Sequence, residues 1–338
     1  MSENKNICLG LKFYAAGFMR KLAELFWPII GFAAVVASFS LLYHEFQGES
    51  VGAEVWSNLK AIPVSHYFLA GLCTLLAYAA LAWYDQIALL HLGVRHISWI
   101  FISLCSFTTY ALSHNIGASV FSGAMVRYRA YSTKGLSAAQ VAGLVLLCSY
   151  TFAFGNVLLG GVLLTYDPTM MQRLSGFLPD LITHPATARI VGLSCLGFVG
   201  VYVAASLMHL PPFRWGRLEI QYPRPEIMFC QLFAAPAELI GAAGIIYFAL
   251  PEIGNPGYIV VLGAFLLSFS AALVSHAPGG LGVFELLFIN LMPEVPRFKV
   301  LAALLVWRLF YLIIPLLAAL VVVFLFERRK LADKLKSL

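Results

Sequence analysis

Charge is the scarcest feature of this chain. Only 11% of its 338 residues are Asp, Glu, Lys or Arg, against roughly 25% in ordinary soluble domains, which excludes a water-clad globule. Cysteine is sparse as well. Cys8, Cys73, Cys105, Cys148, Cys195 and Cys230 are scattered and form no C-x-x-C pair. That argues against a disulfide framework or redox dithiol and leaves them as small apolar fillers. There is no Gly-Lys-Ser/Thr phosphate loop and no nucleophile–base set or dense metal-ligand spacing. We therefore expect no enzyme, no cofactor and no metal. The net charge of +6 would suit nucleic acid, but its placement along the chain points to membrane orientation instead.

What the chain has in abundance is apolar length. Hydrophobic residues make up 61% of it, and the mean hydropathy is +0.85. Apolar stretches run approximately over 25–43, 66–90, 97–126, 138–165, 189–209, 228–250, 257–290 and 299–325. About 20 apolar residues span a bilayer core, so the expected class is an all-α polytopic membrane protein. The long unbroken runs exclude a transmembrane barrel, which would alternate. The basic start (Lys5, Lys12, Arg20, Lys21) resembles that of a signal peptide. The run after it is long for a signal core, so we read it as a retained span.

Two stretches, 97–126 and 257–290, are too long for one plain crossing, and each contains the same polar break. Ser113-His114-Asn115-Ile116-Gly117 recurs as Ser275-His276-Ala277-Pro278-Gly279, 162 positions later. Polar, glycine-containing backbone at membrane depth is tolerated only inside protein or along a water-filled path. If both stretches are hairpins that leave by the face they entered, the positive-inside rule puts 16 basic residues on the cytoplasmic side and 5 outside, with Arg308 within a span. If both cross, the split falls to 12 against 9. The hairpin arrangement is preferred. Shifting the first four stretches by 162 brings them close to the last four, each half holding three crossings and one hairpin, which predicts two inverted-topology repeats. The expected divisions are a cytoplasmic segment 1–24, a first repeat 25–165, an extracytoplasmic connection 166–188, a second repeat 189–325 and a basic tail 326–338, with both termini cytoplasmic.

Several residues carry a family resemblance. They are Tyr110 to Gly117, Ser122-Gly123, Arg127-Tyr128-Arg129, Lys134 to Ser137, the run Ser275 to Glu285 (Ser-His-Ala-Pro-Gly-Gly-Leu-Gly-Val-Phe-Glu), and Trp307-Arg308 with Tyr311 and Pro315. Over nearly the whole chain this resembles the lysyl-phosphatidylglycerol synthase transmembrane family, the flippase half of the multiple peptide resistance factor. The resemblance implies movement of a phospholipid between leaflets of a bacterial cytoplasmic (inner) membrane, whether an aminoacylated phosphatidylglycerol or another anionic lipid. Fused members carry an aminoacyl-transferase domain after the spans. The 338 residues here end about a dozen past the last one, so we expect no synthase domain, and the lipid species stays open. The expected partners are membrane phospholipid and a separately encoded headgroup-modifying enzyme, with no nucleic acid; a homo-oligomer is compatible with the same reading.

The candidate site residues follow from charge in a place that penalises it. A charged side chain at the bilayer centre costs roughly 2.5–3.5 kcal/mol on insertion scales. Glu238 lies near the middle of its span, and Arg308 lies some nine residues into its own. Arg308, Tyr311 and Pro315 share a helix face, and arginine's planar fork suits phosphate. Its alternative role is a structural salt bridge with Glu285 or Glu238. His114 and His276 occupy matching positions, and Asn115 adjoins the first. Arg127 and Arg129 lie just past the first hairpin, where positive-inside anchoring competes with capture of lipid phosphate; Asp85 reads as a solvated helix end. Gly117, Pro278, Gly279, Gly280 and Gly282 are the candidate gating positions, because glycine permits positive φ and close backbone approach. Tight helix packing is the other reading for these glycines. Two other functions remain open: a secondary transporter or channel for a small polar solute, and a membrane scaffold for a lipid-modifying enzyme.

Overall fold

The computed structural model describes the backbone of residues 40, 51–116, 119–208, 213–215, 218–220, 223–275 and 277–336, and the side chains of these except 116, 119–122, 213–215, 218–220, 278, 327 and 329–336. The expected first span, together with Gly117 and His276, lies outside the described residues. The helices are α1 (Val51–Ala61), α2 (Val64–His91), α3 (Trp99–Ile116), α4 (Ser119–Tyr131), α5 (Ala138–Tyr166), α6 (Pro185–Leu207), α7 (Pro225–Ala249), α8 (Tyr258–Val274), α9 (Val283–Leu291), α10 (Arg297–Trp307) and α11 (Ile314–Lys336), the last two joined through a π-helical segment Arg308–Ile313. A three-residue antiparallel ribbon, Phe213–Trp215 against Leu218–Ile220, interrupts the connection between α6 and α7. The chain is otherwise helical among the described residues and is an all-α polytopic membrane protein. Among the described residues, five helices are long and apolar enough to cross a membrane: α2, α5, α6, α7 and the continuous run Arg297–Phe326.

Helix starts follow local chemistry. Ser137 and Gln140 form a reciprocal cap at the head of α5, with Ser137 Oγ accepting from Gln140 N at 3.3 Å and Ser137 N donating to Gln140 Oε1 at 2.9 Å. Proline takes the first helical position of α6 and α7, where its missing N–H costs nothing. The π segment also has a sequence cause. Pro315 has no N–H to offer the carbonyl of Tyr311 four residues earlier, and that carbonyl instead accepts from Tyr78 Oη at 2.9 Å.

The two long apolar stretches are hairpins. Their arms hold 18, 13, 17 and 9 residues, and none of the four is among the described helices long and apolar enough to cross a membrane. The feet of the first are tied by His96 Nε2 to Lys134 O at 3.0 Å and by the Lys134 ammonium 4.8 Å over the Phe101 ring. The second leaves the end of α7 and returns to the start of α10 beside it. Ala249–Ile253 and Lys299 line one cleft, and a Cβ on Gly254 would lie 3.6 Å from Glu294 O. Arg173 secures the returning foot, with Nη1 donating to Leu291 O at 2.8 Å and Nη2 2.7 Å from Glu294. The first hairpin extends further than expected. Arg127 and Arg129 are in its second helical arm, which runs on to Tyr131.

α2 and α7 form the central pair and run in opposite directions: Cys73 and Ala77 face Gly244 and Gly241, while Tyr84 Oη donates to Ala235 O at 3.3 Å. The first hairpin stands at the C-terminal end of α2 and the second at the C-terminal end of α7, so the two enter from opposite ends of the bundle. Shifting α2 to α5 by 162 overlaps α7 to α11.

The closeness of α2 and α7 depends on small residues. A Cβ on Gly241 would sit 2.9 Å from both Ala77 N and Cys73 O, contacts that backbone cannot relieve by rotating. Gly241→Val is therefore expected to destabilise the fold by about 1–3 kcal/mol or more, read as a lower temperature for loss of the monodisperse peak in detergent. A variant as stable as the parent would show that the two helices separate freely.

Candidate functional site

The tips of the two hairpins meet inside the bundle. A Cβ on Gly279 would be 3.8 Å from His114 O and 3.9 Å from Arg308 Nη1. Around this meeting point the fold gathers Glu238 from α7, Glu285 from α9, His114 and Asn115 from the end of α3, and Arg308 and Tyr311 from the π segment. Arg308 Nε donates to Glu285 Oε1 at 2.5 Å, and Arg308 Nη1 donates to Gly279 O at 3.1 Å. The other oxygen of Glu285 accepts from Gly282 N at 2.8 Å, so one carboxylate both starts α9 and neutralises the arginine. This geometry needs the glycines: Gly279 and Gly282 have φ of 59° and 79°, which side chains with a Cβ adopt only under strain.

Tyr311 Oη donates to Glu238 Oε1 at 2.5 Å. Glu238 is 1% exposed and Tyr311 fully buried. Of the alternatives for Arg308, the ion pair with Glu285 is the one formed; Glu238 is held by tyrosine. Among the described residues, Glu238 Oε2, Arg308 Nη2, His114 Nδ1 and Trp307 Nε1 have no hydrogen-bond partner although buried. Unsatisfied polar atoms of this kind are rare in native interiors, and here four lie in one group.

An aromatic stack links the hairpins through this group. The ring of His114 lies on Tyr311 at 5.4 Å between centroids, Tyr311 on Trp307 at 5.3 Å, and Trp307 on Phe284 at 4.6 Å. Asn115 Nδ2 donates to Leu312 O at 3.2 Å and to Ala111 O at 2.8 Å, tying the first tip to the π segment. Trp307 and Phe284 carry the family resemblance but are not among the candidate site residues, and Tyr78 is not singled out by sequence at all. The nearest signal for Trp307 as a site residue was spacing, since Trp307 and Tyr311 are four residues apart. The expectation of one regular helix face for Arg308, Tyr311 and Pro315 is corrected: the backbone from Arg308 to Ile313 is π-helical, a form common at functional sites.

The structure places most of the described sequence candidates in this group and leaves Arg127 and Arg129 outside it. Gly280 turns beside Gly279 with φ 66°, and a Cβ on it would meet Ala272 Cβ at 3.0 Å. Pro278 begins the short 3-10 turn between the arms. Arg129 is exposed near the foot of the first hairpin. Arg127 lies elsewhere and is buried, as is Asp85, at 4% and 0% exposure. Asp85 is thus no solvated helix end and Arg127 no open phosphate trap. Arg127 Nη2 and Nε donate to the two Asp85 oxygens at 2.7 and 3.3 Å, Tyr131 Oη adds a third bond at 2.9 Å, and the guanidinium lies 4.8 Å over the Tyr110 ring. This fork-on-carboxylate lock fastens the second arm of the first hairpin to α2. The described residues hold no cluster of three or more His, Cys, Asp or Glu able to bind a metal ion.

Comparison with known proteins gives the chain a context. No family model matches it. It is 28% identical over 289 residues to the inner membrane protein YbhN of Escherichia coli, covering 84% of this chain and 86% of that one. A shorter segment, 97 residues or 28% of this chain, is 33% identical to the phosphatidylglycerol lysyltransferase of Staphylococcus haemolyticus, of which it covers 11%. With the uncharacterized protein slr0712 of Synechocystis it shares 32% identity over 250 residues, 72% of this chain and 73% of its relative. The chain, itself a multi-pass membrane protein, belongs to the family that includes slr0712 and is related to YbhN.

Proposed function

We propose that this protein translocates a phospholipid between the leaflets of the cytoplasmic membrane, the headgroup passing through the Arg308 group while the acyl chains stay in lipid. One observation carries the reading: two helical hairpins from opposite ends of the bundle touch at a buried ion pair and a buried carboxylate, both with unused hydrogen-bonding atoms. Such an arrangement fits an inverted repeat with a midplane binding site. The partial likeness to a phosphatidylglycerol lysyltransferase adds a lipid to the same picture and favours an aminoacylated phosphatidylglycerol or another anionic lipid.

In this reading Arg308 Nη2 donates to a phosphate oxygen, while Glu238 Oε2 receives a cationic group or a proton. His114 and Asn115 line the passage. The tip that follows Asn115 and the tip at Pro278 to Gly282 alternate as gates from the two faces, with both chain termini cytoplasmic. Translocation is driven by an ion gradient or runs to equilibrium, and no chemistry is performed on the lipid. A separate enzyme supplies a modified headgroup.

Reconstitution tests this. In liposomes carrying fluorescent phosphatidylglycerol or its lysyl ester in the inner leaflet, the wild type exposes label to an impermeant quencher. Glu238→Gln keeps the bond to Tyr311 but loses the charge, and is expected to slow exposure about tenfold, the effect of ~1.4 kcal/mol on a rate. Accumulation of a labelled polar solute without lipid movement would instead make the protein a solute transporter. If neither lipid nor solute moves, the scaffold reading gains.

A further inference from the structure

A second mixed-charge site lies far from the hairpin tips, at the end of the bundle where α1 and α7 stop and α2 and α10 begin. It is a cleft of about 310 Å³ whose polar lining is Asn58, His66, Glu252 and Lys299. His66 Nε2 is 3.5 Å from Glu252 Oε1, and His66 Nδ1 is buried with no partner among the described residues. Lys299 is half-buried, and its ammonium makes no ion pair or hydrogen bond among the described residues. The surroundings mark a membrane surface. Trp56, on α1, is 60% exposed with the Lys60 ammonium 5.0 Å from its ring centre, and Ile253 is 91% exposed at the rim. Exposed tryptophan with a basic neighbour is typical of the headgroup layer.

We infer that this cleft is a docking site for a phospholipid headgroup that pairs a phosphate with a primary ammonium, which deepens the translocation reading by adding a surface site for the same class of molecule. Lys299 supplies the cation for the phosphate. The Glu252 carboxylate, 84% exposed, accepts from the ammonium, and His66 Nε2, 3.5 Å from it, helps to fix its position. A purely anionic headgroup would use Lys299 and leave the Glu252 side without a partner. The level of the cleft favours a lipid over a soluble solute carrying the same groups.

The test is equilibrium binding by native mass spectrometry on the full chain in detergent, in wild type and in the Arg308→Met/Glu285→Gln double variant, which lacks the central phosphate donor. Phosphatidylethanolamine is expected to bind more tightly than phosphatidylglycerol. Lys299→Glu should weaken both lipids about fivefold, from the ~1 kcal/mol that one basic side chain gains near an anionic headgroup, while Lys299→Arg retains affinity. Glu252→Gln should weaken phosphatidylethanolamine alone, abolishing the preference. If the reversal fails to fold, Lys299→Met carries the same expectation. The inference is overturned if the wild type shows no preference, or if the Lys299 and Glu252 variants bind as the parent does. Its lipid assignment is overturned if soluble glycerophosphoethanolamine displaces the lipid at equal concentration. These titrations need no transport, so they can fail while Glu238-dependent translocation stands, and the reverse.

Discussion

Arg308→Ala is expected to abolish lipid movement, lowering its rate by a factor of about 100 or more, and to cost roughly 3–5 kcal/mol of stability. The reason is what it leaves behind. Glu285 is 7% exposed, and removing one partner of a buried ion pair strands the other charge. Stability loss alone would also stop transport, so a second variant separates the causes. Arg308→Met combined with Glu285→Gln removes both charges while the glutamine oxygen still accepts from Gly282 N. Its thermal stability in detergent should return to near the parent's, since neutral replacement of a buried pair is often harmless. Lipid movement should not return. A well-folded double variant that moves lipid at the parental rate would exclude Arg308 from the headgroup path. Arg308→Lys should stay impaired, because the Glu285 carboxylate and Gly279 carbonyl are bridged by a planar fork that an ammonium cannot reproduce.

The Asp85–Arg127 lock should give the opposite pattern. Asp85→Leu leaves a fully enclosed guanidinium opposite an apolar side chain and is expected to destabilise the protein by roughly 3–5 kcal/mol. Adding Arg127→Leu should recover most of that. Because this pair fastens the first hairpin to α2 and lies outside the Arg308 group, lipid movement should recover along with stability. The measurement is thermal unfolding in detergent beside the liposome assay. A double variant that folds but moves no lipid would return Arg127 to the headgroup path.

Hairpins over 97–126 and 257–290 were legible because length, glycine breaks and basic residues all penalise the alternative. Glu238, Arg308 and Glu285 were legible because charge in an apolar run is expensive. The pairing of those charges was not. Asp85 and Arg127 are 42 positions apart, and nothing local distinguishes a buried partner from a solvated anchor; Tyr131, which reads as a hairpin foot, is enclosed as the third member of that lock. The cleft beside His66 was invisible for the same reason, since His66 and Lys299 are polar residues at span ends, individually ordinary.

That the chain is a multi-pass membrane protein with two matched polar breaks follows from residue order alone, because hydropathy and spacing act through the solvent and need no partner. Which charges neutralise each other, the stacking of His114, Tyr311, Trp307 and Phe284 into one column, and the contact between the two breaks emerge on folding. Those outcomes depend on distances between segments remote in the chain, set by how closely α2 and α7 pack across their small residues. Ion pairing and ring stacking both vanish within a few ångströms.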